Sequence, residues 1–146
     1  MLIYLHGFKS SPGSLKARQL GEHAGRLKIP FACPALPIGA DDAMAQVDAL
    51  IATSPTSPTL VGSSLGGFYA TVLAERHGLR AALINPLVPA RVNLDTMVGP
   101  HQNYHSGESF TFTSDHVAQL RKLDMPAITR PERYWLLVEK IGRAHV

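Results

Sequence analysis

The 146-residue chain is 45% hydrophobic and 17% charged, which fits one globular domain with a real core and excludes a disordered or repetitive chain. Its formal net charge of +3 comes from scattered Lys and Arg without interleaved aromatics, so nucleic-acid binding has no support. A single cysteine, Cys33, excludes an intrachain disulfide and points to the reducing cytoplasm.

The apolar start Leu2-Ile3-Tyr4-Leu5 reads as a short buried strand. It meets His6-Gly7 at once and lacks the basic start and length of a signal peptide, and no run approaches a membrane span. His6-Gly7-Phe8-Lys9-Ser10-Ser11-Pro12-Gly13 is dense in turn formers and reads as a loop. From Ser14, the positions Leu15, Leu20, Ala24 and Leu27 suggest a helix that ends before Pro30. Phe31-Ala32-Cys33 reads as a second strand, with Cys33 a structural thiol rather than a nucleophile. After a loop with Pro34, Pro37 and Gly39, Asp41 and Asp42 supply a cap and first-turn charge for a helix showing Ala43, Val47, Leu50 and Ile51 on one face.

The densest signal follows at Thr59-Leu60-Val61, a short apolar strand that runs into Gly62-Ser63-Ser64-Leu65-Gly66. Beyond it Phe68, Val72 and Leu73 keep helical spacing until Gly78. Gly-x-Ser-x-Gly between strand and helix predicts a nucleophile elbow with Ser64 at its tip, where Gly62 and Gly66 must be small because the turn is tight. The bland alternative is a Gly/Ser-rich turn without chemistry. A phosphate loop is disfavoured, because no Gly-Lys-Ser/Thr follows.

Ala81 to Ile84 reads as a fourth strand closed by Asn85-Pro86. Residues 86–113 break the alternation and read as an irregular lid or binding loop, in which His101 and His105 are taken as ordinary histidines rather than a catalytic base. Ser114 is expected to cap a helix bearing Val117, Leu120 and Leu123, and Tyr134-Trp135-Leu136-Leu137-Val138 to form the fifth strand. Strands alternating with helices predict an α/β fold with a parallel sheet covered on both faces.

His6-Gly7 after the first strand, together with the elbow, resembles the α/β-hydrolase superfamily. The short start through Phe8, the run from Gly62 to Ala70, Ile84-Asn85-Pro86 and Tyr134-Trp135-Leu136-Leu137 are more narrowly similar to the small bacterial YqiA/YcfP-like esterases. The resemblance implies a three-layer fold with strands in the order 2-1-3-4-5. It also implies acyl transfer to Ser64 with backbone N–H groups of Leu65 and Phe8 as the oxyanion hole, and His6, Gly7, Gly62 and Gly66 in support. His6 is not the expected base, because in such enzymes the order is Ser, acid, His, and a histidine before this loop orders the loop.

Similar enzymes carry a Gly-Asp soon after the fifth strand and a catalytic His one strand later. This chain has instead Glu139-Lys140-Ile141-Gly142-Arg143-Ala144-His145-Val146. Neither Glu139 nor His145 suits those roles, so triad acid and base are expected to be absent. Ile141 to Val146 matches one reading frame of a widely used sequencing adapter. The expectation is a single hydrolase domain over residues 1–139, lacking its C-terminal strand and helix, followed by a non-native tail over 140–146. The expected activity is cleavage of carboxylic esters or thioesters by a parent protein using no metal or organic cofactor, with the 146-residue chain inactive. A non-catalytic hydrolase-fold module that binds an acyl ligand is the alternative.

Overall fold

The computed structural model describes residues 1–125 and 127–138. Four short parallel strands, β1 (Leu2–Leu5), β2 (Phe31–Ala32), β3 (Thr59–Ser63) and β4 (Ala81–Ile84), are followed by an antiparallel ribbon, β5 (Gly99–Gln102) and β6 (Ser109–Phe112), and by β7 (Tyr134–Leu137). The helices are α1 (Leu15–Arg26), α2 (Ala40–Thr53), α3 (Leu65–His77) and α4 (Ser114–Leu123).

The main sheet runs β2-β1-β3-β4-β7, parallel throughout, and β3 lies at its centre. Allowing for the ribbon inserted before its last strand, this is the expected order. Side chains alternate across it as strand geometry demands. Ile3, Leu5 and Leu60 join a core with α2, α3 and α4. Tyr4 and Val61 face the other way, against Ala17 and Leu20 of α1. Those two cores are the interfaces of a three-layer structure.

Several local expectations need correction. Residues 86–113 are not simply irregular, since they hold the ribbon and two single 3₁₀ turns at Pro89–Arg91 and Leu94–Met97. The α4 cap is Thr113, one residue earlier than expected; its Oγ1 accepts from the His116 N–H at 3.3 Å while its own N–H donates to His116 Nδ1 at 2.9 Å. At α2 the N-cap position falls to Gly39, without a side-chain cap, and Asp41 and Asp42 contribute first-turn charge only. On α1, Leu15 and Leu27 face solvent, and the buried stripe is Ala17 and Ala24. Ser14 does cap α1, accepting from the Ala17 N–H at 3.2 Å.

Candidate active site

β3 ends and α3 begins within one residue, and that residue is Ser64 at φ 55°, ψ −120°. L-residues rarely adopt such a backbone, and it persists only where the surroundings fix it. They do so here through the backbone. The Ser64 N–H donates to the Ile84 carbonyl at 3.1 Å, and the Ser64 carbonyl accepts from the N–H groups of Gly67 (2.9 Å), Phe68 (3.2 Å) and Leu87 (2.9 Å).

Glycine is required at both flanks. A Cβ on Gly62 would stand 2.6 Å from the Gly66 carbonyl carbon and 2.8 Å from the Gly67 Cα, and a Cβ on Gly66 would be driven into the Leu5 and His6 carbonyls. A third small position, Gly67, is fixed by Pro86, whose Cα would lie 2.9 Å from an added Cβ. Ser64 is therefore held out from the sheet, and its side chain is exposed. Among the described residues nothing hydrogen-bonds its Oγ. Leu65 gives α3 its first N–H, a group with no partner inside the helix and at its positive end.

The loop after β1 passes beside Ser64: a Cβ on Gly7 would lie 3.3 Å from the Ser64 Cβ. His6 ties this loop to the one after β2. The Leu36 N–H donates to His6 Nε2 at 3.0 Å, so Nε2 is unprotonated, and Nδ1 carries the hydrogen that it donates to the Gly7 carbonyl at 3.0 Å. Burial holds the imidazole below its ordinary pKa, partly offset by the Gly7 bond. With both nitrogens engaged, His6 is a neutral brace with no lone pair free for Ser64.

From the other side, the ribbon grips the same loop. The Asn103 Nδ2 donates to the Ser10 carbonyl and the Tyr104 N–H to the Lys9 carbonyl, both at 2.9 Å. Lys9 itself sits at φ 63°, with its ammonium 4.8 Å from the Tyr104 ring centroid. Phe8 is packed edge-on against His101, Phe110 and Phe112, at centroid separations of 4.9, 5.7 and 5.2 Å. Phe8 is thus anchored by its ring, and its backbone is held between β1 and the ribbon.

A cavity of about 380 Å³ opens between this loop, the residues after β2 and the ribbon, with Leu65 and Tyr69 of α3 in its wall. A second cleft, on the other side of Gly7 and Phe8, is lined by Ser64 itself with Tyr4, Ser10, Ser63 and Tyr104. Burial raises the ionisation of the Tyr4 phenol, and the neighbouring Ser63 hydroxyl offsets part of that rise.

Four other histidines of the described region make contacts of their own. His101 Nε2 bonds the Met97 carbonyl at 2.6 Å, His77 pairs with Asp48, His116 closes the α4 cap and His105 Nε2 lies 3.4 Å from Ser10 Oγ. Glu139 and His145, together with the suspected tail, fall outside the described residues. Among the described residues no cluster of three or more His, Cys, Asp or Glu could hold a metal ion. Burial raises the Cys33 thiol to about 11, which leaves it protonated. Leu36, Asn103 and Tyr104 carried no motif in the sequence, and Tyr69, which lies in the run from Gly62 to Ala70, was given no role of its own.

A parallel sheet between helical layers, with a sharp strand-to-helix turn on its central strand, defines the α/β-hydrolase fold. Two solved structures share it. Mouse alpha/beta hydrolase domain-containing protein 10 superposes with a TM-score of 0.71 at 14% identity, over 97% of this chain and 80% of that one. A structure from work on LipS and LipT, two metagenome-derived lipolytic enzymes, gives 0.66 at 17% identity, over 94% and 70%. The chain belongs to the Uncharacterised protein family (UPF0227), which its residues 1–143 match.

Proposed function

We propose that this chain carries the nucleophile and oxyanion hole of a serine hydrolase acting on carboxylic esters or thioesters. The observation that carries the proposal is Ser64 itself: an exposed hydroxyl on a strained backbone, at the N-terminus of α3 and beside the Gly7-Phe8 loop. In the proposed reaction Ser64 Oγ attacks the acyl carbonyl carbon. The carbonyl oxygen takes up negative charge and is met by the N–H groups of Leu65 and Phe8, and the alcohol or thiol departs to leave an acyl-enzyme that water hydrolyses. His6, Gly7, Gly62 and Gly66 hold the donors and nucleophile in place. No metal or organic cofactor is required for this chemistry.

The attack needs a base to accept the Ser64 proton, and no described histidine or carboxylate bonds to Ser64. We infer that acid and base come from chain outside the described residues, and that residues 1–138 alone turn over poorly. A triad-stripped serine hydrolase, in the subtilisin case, loses about 10⁶-fold in turnover and keeps roughly 10³ to 10⁴ over water. The same observation favours one alternative, an acyl-binding module that performs no hydrolysis. The single Cys33 continues to support a reducing cytoplasmic setting.

Hydrolysis of p-nitrophenyl acetate and butyrate tests the proposal. The 146-residue chain should release nitrophenol from both only slowly, and Ser64→Ala should abolish that release. Binding without Ser64-dependent release of nitrophenol would establish the alternative.

A further inference from the structure

The cleft that Ser64 lines carries positive charge without a counter-charge. About 470 Å³ in volume, it brings Ser64 together with Leu15, Lys16 and Tyr104, and none of its lining residues is acidic. Lys16 is exposed and, among the described residues, lies in no ion pair. It stands in the first turn of α1, where no acidic residue offsets it and where the helix dipole disfavours a cation. A second ammonium borders the same cleft. Lys9 Nζ lies 4.8 Å from the Tyr104 ring centroid in a cation–π contact, and the Tyr104 N–H donates to the Lys9 carbonyl at 2.9 Å. Lys9 likewise lies in no ion pair among the described residues. Glu108 lines the neighbouring cavity and not this cleft. Leu15 and Tyr104 are 60% and 72% exposed, so apolar surface accompanies the two charges.

We propose that this cleft selects esters or thioesters bearing an anionic group, a carboxylate or a phosphate, a few carbons from the carbonyl that Ser64 attacks, with Lys16 and Lys9 as the specificity-determining residues. The assignment of the cleft to the substrate rests on the Ser64 reading above. A cleft lined by one sign of charge raises the local concentration of the other, and an ammonium meets either anion as a point charge. The short apolar stretch between carbonyl and anion then lies along Leu15 and the Tyr104 ring. A neutral ester of the same length gains only that apolar contact.

The test is binding, which does not need turnover. Monomethyl adipate, methyl 5-(phosphonooxy)pentanoate and dimethyl adipate, two anions and a neutral ester of similar length, are titrated into the full chain carrying Ser64→Ala and followed by amide NMR. At about 20 mM salt each anion should bind about fivefold more tightly than dimethyl adipate, and at about 200 mM the advantage should shrink to about twofold. The amides that shift should include Lys16, Ser63 and Leu65. Lys16→Gln combined with Lys9→Gln should bring both anions level with dimethyl adipate, whose own binding should change by less than about twofold. A preference for one anion alone supports the inference and identifies the group recognised. Equal binding of all three, binding of none, shifts that avoid the cleft, or a preference that survives both substitutions overturns it. The two readings fail separately: a charge preference in a chain with no Ser64-dependent release of nitrophenol removes the hydrolase reading alone, and Ser64-dependent release without the preference removes this one alone.

Discussion

The Leu36 N–H donates to His6 Nε2 at 3.0 Å, and this one bond fixes both the tautomer of His6 and the separation of the two loops flanking the cavity. Neutral His6 is required, since protonating Nε2 would set two donors against each other. Burial lowers the folded pKa of His6 below its ordinary 6.5. Below that value the unfolded chain takes up a proton that the folded chain resists, so stability falls as pH falls from about 6.5 toward the folded pKa. An imidazole NMR titration should place His6 below 6.5. Urea midpoints should also drop more between pH 7 and 5 in the wild type than in His6→Gln; equal slopes would remove His6 from the acid response.

Gly62→Val and Gly66→Val place branched side chains where even a Cβ meets backbone. Each should cost at least about 3 kcal/mol or prevent folding. Ser63→Ala removes a half-buried hydroxyl without any clash with backbone, a cost of at most about 1 kcal/mol. Comparable urea midpoints for all three would mean that the turn is not held as described.

Asn103 serves two purposes that one substitution can separate. Its Oδ1 accepts from the N–H groups of His105 and Ser106, at 2.9 and 3.1 Å, and its Nδ2 holds the Ser10 carbonyl. Asn103→Asp keeps the acceptor and removes the donor. Amide exchange at Phe8 to Ser10 should quicken about fivefold, as loss of about 1 kcal/mol of local stability implies, with little change in global melting. Unchanged exchange would show that the ribbon does not hold the loop.

Along the sheet edge, β7 exposes Trp135 (69%), Leu136 (58%) and Leu137 (42%). An apolar edge with unpaired backbone groups is a template for pairing with another chain. Sedimentation should show concentration-dependent self-association of the 146-residue chain, reduced by Trp135→Lys. A monodisperse monomer at high concentration would count against the exposed apolar edge as a pairing surface.

The sheet was legible because each strand is a short apolar run bounded by Gly or Pro, and the Ser64 turn because only small residues suit its flanks. The ribbon was not. Gly99-Pro100-His101-Gln102 has no strand propensity of its own, and the turn between its strands is polar; only the alternation Phe110 and Phe112 hinted at β6. The exposure of Leu15 on α1 and of Leu27 at its C-cap was hidden for a different reason, since the expected Ala24 is joined on the buried face by Ala17, a small residue that the leucine spacing did not single out. The loop braces were beyond reach as well, because Leu36 and Tyr104 act through backbone N–H groups that any residue except proline supplies.

The central claim, that Ser64 is the nucleophile, is tested most directly by prolonged exposure of the 146-residue chain to an alkyl fluorophosphonate, with the adduct located by mass spectrometry. A single adduct on the peptide containing Ser64, formed slowly and absent from Ser64→Ala, is the expected result. An adduct elsewhere with Ser64 unmodified would contradict the claim, and rapid Ser64 labelling would contradict the inference that its base lies outside the described residues.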